Sequence, residues 1–251
     1  MGKNKLQRFA ENATYQHVVQ PDIIEARFQD NSIKGNWHKQ MFKNNNPIVV
    51  ELGCGKGEYT VELARKNPNI NYIGVDIKGA RLWRGAKTSA EENLKNVAFL
   101  RTRIEFITRY FAPDEVDEIW ITFPDPQIKP RRAKNRLTHS AFLSRYQQFL
   151  KSGSVVHLKT DNLFLHRYTK LVLKHNNIHI VESNEDIYSN KNINHDLTIK
   201  TTYEQMFMKE GFPITYLKFI LDKSIKITEP EYDHHELFRN CLPDSANDSE
   251  R

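Results

Sequence analysis

An aspartate held between two prolines is the first feature of this sequence that indicates chemistry. Asp125 follows a short apolar run in "ITFPDPQIKPRRAKNRL", residues 121–137. The prolines fix φ on both sides and reduce the freedom of the turn, so a carboxylate here is held ready for a ligand. Five cations follow within eight residues: Lys129, Arg131, Arg132, Lys134 and Arg136. This combination favours a ligand with hydrogen-bond donors and phosphates, although a stiff turn beside a solvated basic face would have the same sequence.

A glycine-rich loop earlier in the chain indicates the class of cofactor. Gly53, Gly55 and Gly57 come directly after the apolar run "IVVEL", whose fourth residue is Glu51. Glycines there let the backbone turn sharply and let a ligand lie against bare peptide. The dinucleotide pattern G-x-G-x-x-G would need its third glycine at position 58, which is Glu58. A carboxylate ahead of the loop would repel a pyrophosphate and favours a ligand with an ammonium group.

A second acid narrows the choice of cofactor. Asp76 ends the next apolar run, 25 residues after Glu51, where it is placed to accept hydrogen bonds from ribose hydroxyls. S-adenosylmethionine combines a ribose, an adenine and an amino acid head, and it has no phosphate. The loop and the two acids therefore predict this cofactor. The alternative is a tight strand-to-helix turn with Glu51 as a solvated strand end.

Two later segments present polar side chains of the same kind. Asp161 lies in "HLKTD" after an apolar run, and it can contact a substrate or serve as the N-cap of a helix. Thr201 and Glu204, in "TTYE", have the spacing of a capping box, in which the threonine accepts from the Glu204 amide. A cap and a ligand contact can coexist, because a helix N-terminus leaves backbone amides free.

Strand-like and helix-like segments alternate along the chain. Seven runs are predicted as strands: 48–52, 71–76, 97–101, 118–123, 154–159, 179–182 and 214–221. Segments with helical spacing separate most of them, and Thr138 is the expected N-cap of the helix after the basic run. We therefore predict an α/β, Rossmann-like fold with a seven-stranded, mostly parallel sheet and helices on both faces. Ligands of such sheets bind beyond the carboxyl ends of the strands, where Asp125 and the glycine loop would lie.

Length and composition set the wider limits. The 251 residues show no internal repeat or long linker, so we predict a single domain with a basic extension at 1–35 and a disordered tail at 242–251. The net charge of +6 and the pI of about 9.1 agree with a polyanionic partner, and equally with a merely basic surface.

Cysteine, histidine and hydropathy patterns exclude several classes of protein. Two distant cysteines suggest no disulfide framework and predict a cytoplasmic location. The sequence starts without a secretory signal, and no apolar run approaches the roughly 20 residues of a membrane span. The neighbours His234, His235 and Glu236 are too close in sequence to converge on one ion, so we predict no metal site.

Four segments together resemble one family. "VVELGCGKG", "ITFPDPQIKPRRAKNRL", "HLKTD" and "TTYE", in this order and spacing, are similar to the bacterial tRNA (guanine-N7-)-methyltransferases. The similarity extends over about residues 45–222. The F-P-D-P-x-x-K element with its cations is the specific part, since many methyltransferases share the glycine loop. The resemblance implies a class I methyltransferase that methylates N7 of guanosine 46 in the tRNA variable loop, with no obligate protein partner.

The resemblance also implies roles for individual residues. The cofactor-binding residues would be Glu51, Gly53, Gly55, Gly57, Asp76, Arg103 and Asp125. Asp125 would also be the catalytic residue. The substrate-binding residues would be Lys129, Asp161, Thr201, Thr202, Tyr203 and Glu204. Four cations would lie on RNA: Arg131, Arg132, Lys134 and Arg136.

Three departures from the family pattern leave questions open. Arg103 stands where relatives have Asn or Asp for the adenine amino group, and a guanidinium has no acceptor, so a backbone group must replace that contact or it is absent. Gln127 and Ile128 replace the usual Trp and His, and Asp76 is one methylene shorter than the common Glu. Two other interpretations remain: a methyltransferase acting on another nucleobase or a small molecule, and a non-catalytic RNA-binding subunit.

Overall fold

One eight-stranded sheet runs through the computed structural model, which describes residues 3–22, 24–189, 193–239 and 241. The strands are β1 Val18–Val19, β2 Ile48–Leu52, β3 Asn71–Asp76, β4 Val97–Arg101, β5 Val116–Thr122, β6 Leu150–Thr160, β7 Ile180–Asn184 and β8 Thr215–Leu221. Their order in the sheet is β1-β4-β3-β2-β5-β6-β8-β7. Strand β8 is antiparallel to both neighbours, and the other neighbouring pairs are parallel. The strand order reverses between β2 and β5, which is where such sheets bind ligands.

The seven predicted strands are confirmed, and the predicted count of seven is corrected to eight. The additional strand, β1, pairs with β4 through Val18 opposite Phe99 and Val19 opposite Leu100. Its two residues are too few to show an alternating pattern, so only tertiary pairing identifies it as a strand.

Helices cover both faces of the sheet, as predicted. They are α1 Lys3–Asn12, α2 Glu25–Phe28, α3 Glu58–Lys66, α4 Gly79–Glu91, α5 Ser140–Tyr146, α6 Leu163–His175, α7 Thr202–Lys209 and α8 His234–Arg239. Successive residues of β2 point to opposite faces. Val49 belongs to the buried cluster that includes α3 and α4, and Val50 to the one that includes α5 and α6. Apolar burial on both faces explains why β2 is apolar at almost every position.

The start of α5 corrects one sequence prediction. Thr138 is not its N-cap: the cap is His139, whose Nδ1 accepts from the Ala141 amide at 3.1 Å. Thr138 is fully buried, and its hydroxyl lies 2.7 Å from that of Thr169 on α6. The threonine therefore joins two elements of the core instead of ending one of them.

The first part of the predicted N-terminal extension packs on α4. The Asn12 side chain is buried and donates to the carbonyl of Gly79 at 2.9 Å. The Trp83 indole donates to Glu11 at 2.7 Å, and the Arg8 guanidinium lies 4.6 Å from the same indole ring. The predicted tail at 242–251 lies outside the described residues. In the described part of the chain, no helix has the length and hydropathy needed to span a membrane.

Candidate active site

The loop after β2 turns tightly enough to place its backbone at the end of β3. Gly53, Gly55 and Gly57 all have positive φ, at 79°, 57° and 71°. A Cβ at Gly57 would lie 2.6 Å from the Phe99 ring, so that position excludes any side chain. The Gly53 amide donates to the carbonyl of Val75 at 2.8 Å. The loop is therefore fastened to β3, and the sheet edge above it stays open for a ligand.

Asp76 is fixed at the end of β3 by two backbone amides. Its Oδ2 accepts from the Gly55 amide at 2.9 Å, and its Oδ1 accepts from the Lys78 amide at 2.6 Å. Each carboxylate oxygen has a second lone pair, so the group can still accept from a ligand. This geometry suits the ribose hydroxyls that the sequence predicts at Asp76.

Glu51 is buried below the loop and held by two threonines. Its Oε2 accepts from the backbone amide of Thr60 at 2.8 Å and from the Thr60 hydroxyl, and its Oε1 accepts from the Thr122 hydroxyl. Burial raises the pKa of Glu51 to about 7, against the hydrogen bonds, which lower it. The sequence reasoning missed both threonines, because neither stands near Glu51 in the chain.

One cavity of about 360 Å³ brings four of the predicted acids together, and Glu51 is one of them. Asp76, Asp125 and Asp161 line it, with Gly53 and Gly55. The Asp125 side chain is exposed to this space, and its Oδ1 accepts from the amide of Gln127 at 3.0 Å. The aspartate therefore lies beside the glycine loop, as the order of the strands predicts.

The turn around Asp125 is held in a strained conformation. Phe123 and Gln127 have φ values of 47° and 46°, which bulky residues rarely adopt. The Phe123 amide donates to the carbonyl of Lys159 at 2.8 Å, which fastens the turn to β6. Strain of this kind persists only where the surroundings fix the backbone, and it is typical of functional sites.

A second hollow of about 340 Å³ shares Gly53 and Asp76 with the first. Its apolar walls are Ile77, Ile104, Leu137 and Phe142. Arg103 lies at its side, half exposed, with its guanidinium 2.9 Å from the carboxylate of Glu105. Glu105 also lines the hollow. Its carboxylate is a hydrogen-bond acceptor, which the Arg103 guanidinium cannot be. The sequence reasoning missed Glu105, which lies two residues beyond the family position.

Asp161 faces the cavity and does not cap a helix. The N-cap of α6 is Asn162, whose side-chain oxygen accepts from the Leu165 amide at 2.9 Å. Asp161 is half-buried, and burial raises its pKa. The structure therefore excludes the interpretation of Asp161 as the N-cap of α6, and the interpretation as a substrate contact remains.

The four predicted substrate residues of α7 and its cap point in different directions. Thr201 and Tyr203 line the cavity, and Thr201 caps α7 by accepting from the Glu204 amide at 3.2 Å. Thr202 is turned to Glu58, to which its amide donates at 2.9 Å. Glu204 is fully buried and does not line the cavity, because its carboxylate forms an ion pair inside the protein. The predicted substrate contact of Glu204 is therefore corrected.

The basic run continues from the cavity along the surface. Residues Pro130–Asn135 form a 3₁₀ helix. Lys129, Arg131, Arg132 and Lys134 are exposed, and none of them forms a salt bridge with another described residue. These four cations are therefore available to meet phosphates.

Arg136 corrects the prediction that the whole run contacts RNA. It is fully buried, with its guanidinium 4.2 Å from the centre of the Tyr168 ring. It donates to the carbonyls of Gln127 and Ile128 at 3.2 and 3.3 Å and to the Tyr232 hydroxyl at 2.6 Å. A guanidinium has several donors, and here they fasten the backbone that follows Asp125.

Comparisons with known proteins agree with this geometry. Residues 45–217 match a family model described as a putative methyltransferase. A tRNA (guanine-N(7)-)-methyltransferase of Christiangramia forsetii is 55% identical over 218 residues, which are 86% of this chain and 97% of that protein. The chain belongs to the tRNA (guanine-N7-)-methyltransferase family. A relative with the same name from Bacteroides fragilis is 48% identical over 233 residues, 93% of this chain and 92% of its own length.

Two solved structures of low sequence identity have a similar fold. A 16S rRNA methyltransferase, KamB, matches with a TM-score of 0.56 at 13% identity, over 73% of this chain and 92% of its own. A 30S ribosomal A1408 methyltransferase from an uncultured bacterium matches with a TM-score of 0.55 at 19% identity, over 75% and 94%. These likenesses show the class I methyltransferase fold. In the described part of this family member, no cluster of three metal-binding side chains occurs.

Proposed function

We propose that this chain transfers a methyl group from S-adenosylmethionine to N7 of guanosine 46 in the variable loop of tRNA. The observation that carries the proposal is the cavity in which Asp76, Asp125 and Asp161 meet beside the glycine loop. Four exposed cations follow Asp125 within nine residues of the chain. The names of the curated relatives support methylation of guanine N7 in tRNA, and the resemblance of the sequence motifs to that family adds position 46.

The residues present fit S-adenosylmethionine. The two oxygens of Asp76 keep lone pairs for two ribose hydroxyls. The hollow beside Asp76 has apolar walls suited to an adenine, and Glu105 supplies the acceptor for its amino group. Glu51 lines the cavity next to the loop, where a cationic amino acid head would favour its ionised form. When bound, this cofactor supplies an electrophilic methyl group on a sulfonium sulfur.

The chemistry requires alignment more than proton transfer. Guanine N7 has a free lone pair, so the chain does not need to remove a proton from it. Alignment contributes up to roughly 7–11 kcal/mol in favourable systems. Asp125 and Asp161 accept from N1–H and the 2-amino group of the guanine, and their charges compensate the positive charge that develops on the base. Adenine lacks this pattern of donors, so a site built to pair them discriminates against it.

Aromatic side chains make the cavity suitable for a base. Phe123, Tyr203 and Phe207 line it, and the rings of Phe123 and Phe207 stack with centroids 6.5 Å apart. Enzymes that act on a base take it out of its stack and hold it between such walls. This feature favours a nucleobase over a small aliphatic substrate.

The test is methylation of unmodified tRNA transcripts with labelled cofactor, followed by nucleoside analysis. We expect 7-methylguanosine from a transcript with guanosine 46 and none from the matched transcript with adenosine at that position. Label at another nucleoside would identify a different methyltransferase. Tight binding of tRNA without cofactor binding would identify a non-catalytic RNA-binding subunit.

A further inference from the structure

Lys159, near the end of β6, is a fully buried cation whose ammonium has an acceptor for each of its three donors. Its ammonium donates to the carbonyls of Leu197 and Ile199 at 2.8 and 3.0 Å and lies 2.8 Å from the carboxylate of Glu204. Burial lowers the pKa of Lys159, and the Glu204 carboxylate opposes this effect. A buried ion pair is often no more stabilising than two apolar residues, so fold stability alone does not account for it.

Glu204 is held from two sides. Its Oε2 accepts from Lys159 at 2.9 Å, and its Oε1 accepts from the hydroxyl of Tyr188 at 2.7 Å. The Tyr59 hydroxyl of α3 adds a further tie, since it donates to the carbonyl of Asp196 at 2.6 Å. Tyr188, Glu204 and residues 196–199 are thus tied to one another, to the sheet or to α3. Among the described residues ahead of α7, Ile187–Ser189 and His195–Thr198 form short 3₁₀ turns.

Lys159 is connected to three parts of the chain that line the cavity. Its carbonyl accepts from the Phe123 amide at 2.8 Å, on the side of the Asp125 turn. Two residues after it in the chain, Asp161 lines the cavity. Its ammonium fixes the segment that presents Thr201 to the same space. Removing the ammonium would therefore loosen the substrate side of the cavity and leave the glycine loop intact.

We propose that Lys159 and Glu204 are positioning residues, which hold Thr201 and Tyr203 against the base and do not touch the substrate. This inference rests on the proposed function for the identity of the base. It assigns Glu204 a different role from the substrate contact that its motif suggests. The carboxylate acts through the placement of the N-terminus of α7, and Lys159 neutralises it inside the protein.

The test compares Lys159→Met, Glu204→Gln and the double variant. We expect Lys159→Met to raise the KM for tRNA at least tenfold, because it leaves the Glu204 carboxylate buried without its counter-ion. The Kd for the cofactor should change less than twofold. The double variant removes both charges, so it should recover at least half of the logarithmic loss in KM. Lys223→Met breaks the exposed pair with Asp114 and should behave as wild type.

The opposite result has a distinct pattern. If Glu204 accepted directly from the base, Glu204→Gln alone would lower kcat more than a hundredfold, and the double variant would be no better. That outcome would overturn the proposal. Hydrogen exchange of the amides of residues 195–204 gives a readout without tRNA: it should quicken at least tenfold in Lys159→Met and return towards wild type in the double variant. Unchanged exchange would also overturn the proposal, and this measurement stands even if the tRNA activity fails.

Should Lys159→Met not fold, Glu204→Gln still decides the matter. The amide keeps the shape of the side chain and an acceptor for Tyr188, but it leaves the Lys159 ammonium without its counter-ion. We therefore expect the KM for tRNA to rise as in Lys159→Met, with kcat within threefold of wild type. A decrease in kcat above a hundredfold with normal cofactor binding would contradict a positioning role.

Discussion

Glu51 is the residue whose ionisation the fold opposes most directly in the cofactor site. Its pKa of about 7 in the folded protein lies above its ordinary value of 4.5, so the folded state keeps a proton that the unfolded chain loses. Stability from Glu51 is therefore fully present below pH 4.5 and is lost as the pH rises through 7. Between about pH 5 and pH 8 the decrease is about 2 kcal/mol of unfolding free energy.

The prediction is that Glu51→Gln removes this part of the pH dependence. Urea unfolding at about pH 5 and pH 8 should show a fall in stability for the wild type that is about 2 kcal/mol greater than for the variant. Glu210→Gln, at an exposed position, should keep the wild-type difference. Parallel curves for the wild type and Glu51→Gln would show that Glu51 is ionised in the folded state throughout this range.

Asp125 leads to a prediction about turnover. Asp125→Asn keeps the shape of the turn but removes the charge and one acceptor, so kcat/KM for tRNA should fall by about a hundredfold or more. The Kd for the cofactor, measured by calorimetry, should stay within a few-fold, because Asp76 and the glycine loop are unchanged. Asp222 does not line the cavity, so Asp222→Asn serves as the control and should keep the wild-type kcat/KM. If Asp125→Asn had the kcat/KM of the wild type, the Asp125 carboxylate would have no role in catalysis.

At the scale of elements, the exposed 3₁₀ helix after Asp125 should account for much of the electrostatic affinity for tRNA. Changing Arg131, Arg132 and Lys134 to Gln should weaken tRNA binding. The slope of log K against log salt should become shallower by about 0.7–0.9 for each phosphate that these side chains neutralise in the wild type. Cofactor affinity should not change.

The control for the triple variant lies on another part of the surface. The exposed Lys39 and Lys43, both changed to Gln, should leave the wild-type salt slope. An unchanged slope in the triple variant would instead place the RNA away from the 3₁₀ helix.

The main strands could be predicted because their apolar runs are short, rich in β-branched and aromatic residues, and bounded by turn residues, which together favour a buried strand over a helix. Caps were less predictable. Thr138 and Asp161 each stand one residue before the side chain that caps the helix, and Thr, Asp, Asn and His neighbours offer similar acceptors. Tertiary packing decides which neighbour is used, and the local sequence does not contain that information.

The candidate site was predictable where a side chain acts through its own position in a loop. Asp76, Asp125 and Asp161 each follow a strand or end one, so the sheet brings them together. Arg136 and Glu204 stand beside exposed residues in their motifs, yet both are fully buried, since partners of each come from distant parts of the chain. A local sequence motif does not show which distant residues will pair with a buried charge.

At the scale of the whole molecule, β8 decides whether the sheet is complete. It lies between β6 and β7 and forms antiparallel pairs with both. A chain that ends at residue 213 should therefore fail to fold cooperatively, because β6 would expose an unpaired edge and β7 would lose its place in the sheet. Circular dichroism and urea unfolding would show this. A cooperative transition in the shortened chain would mean that the remaining sheet folds independently.

This topology also orders events on the ribosome. The glycine loop, β3 and the Asp125 turn leave the exit tunnel well before Leu221, but the sheet that holds them stays incomplete until β8 has been made. Thr201 and Tyr203, which line the cavity, precede β8 in the chain, so we expect them to reach their final place only after this last strand has been made. We therefore expect the nascent chain to become competent for the cofactor and for RNA together, near the end of translation.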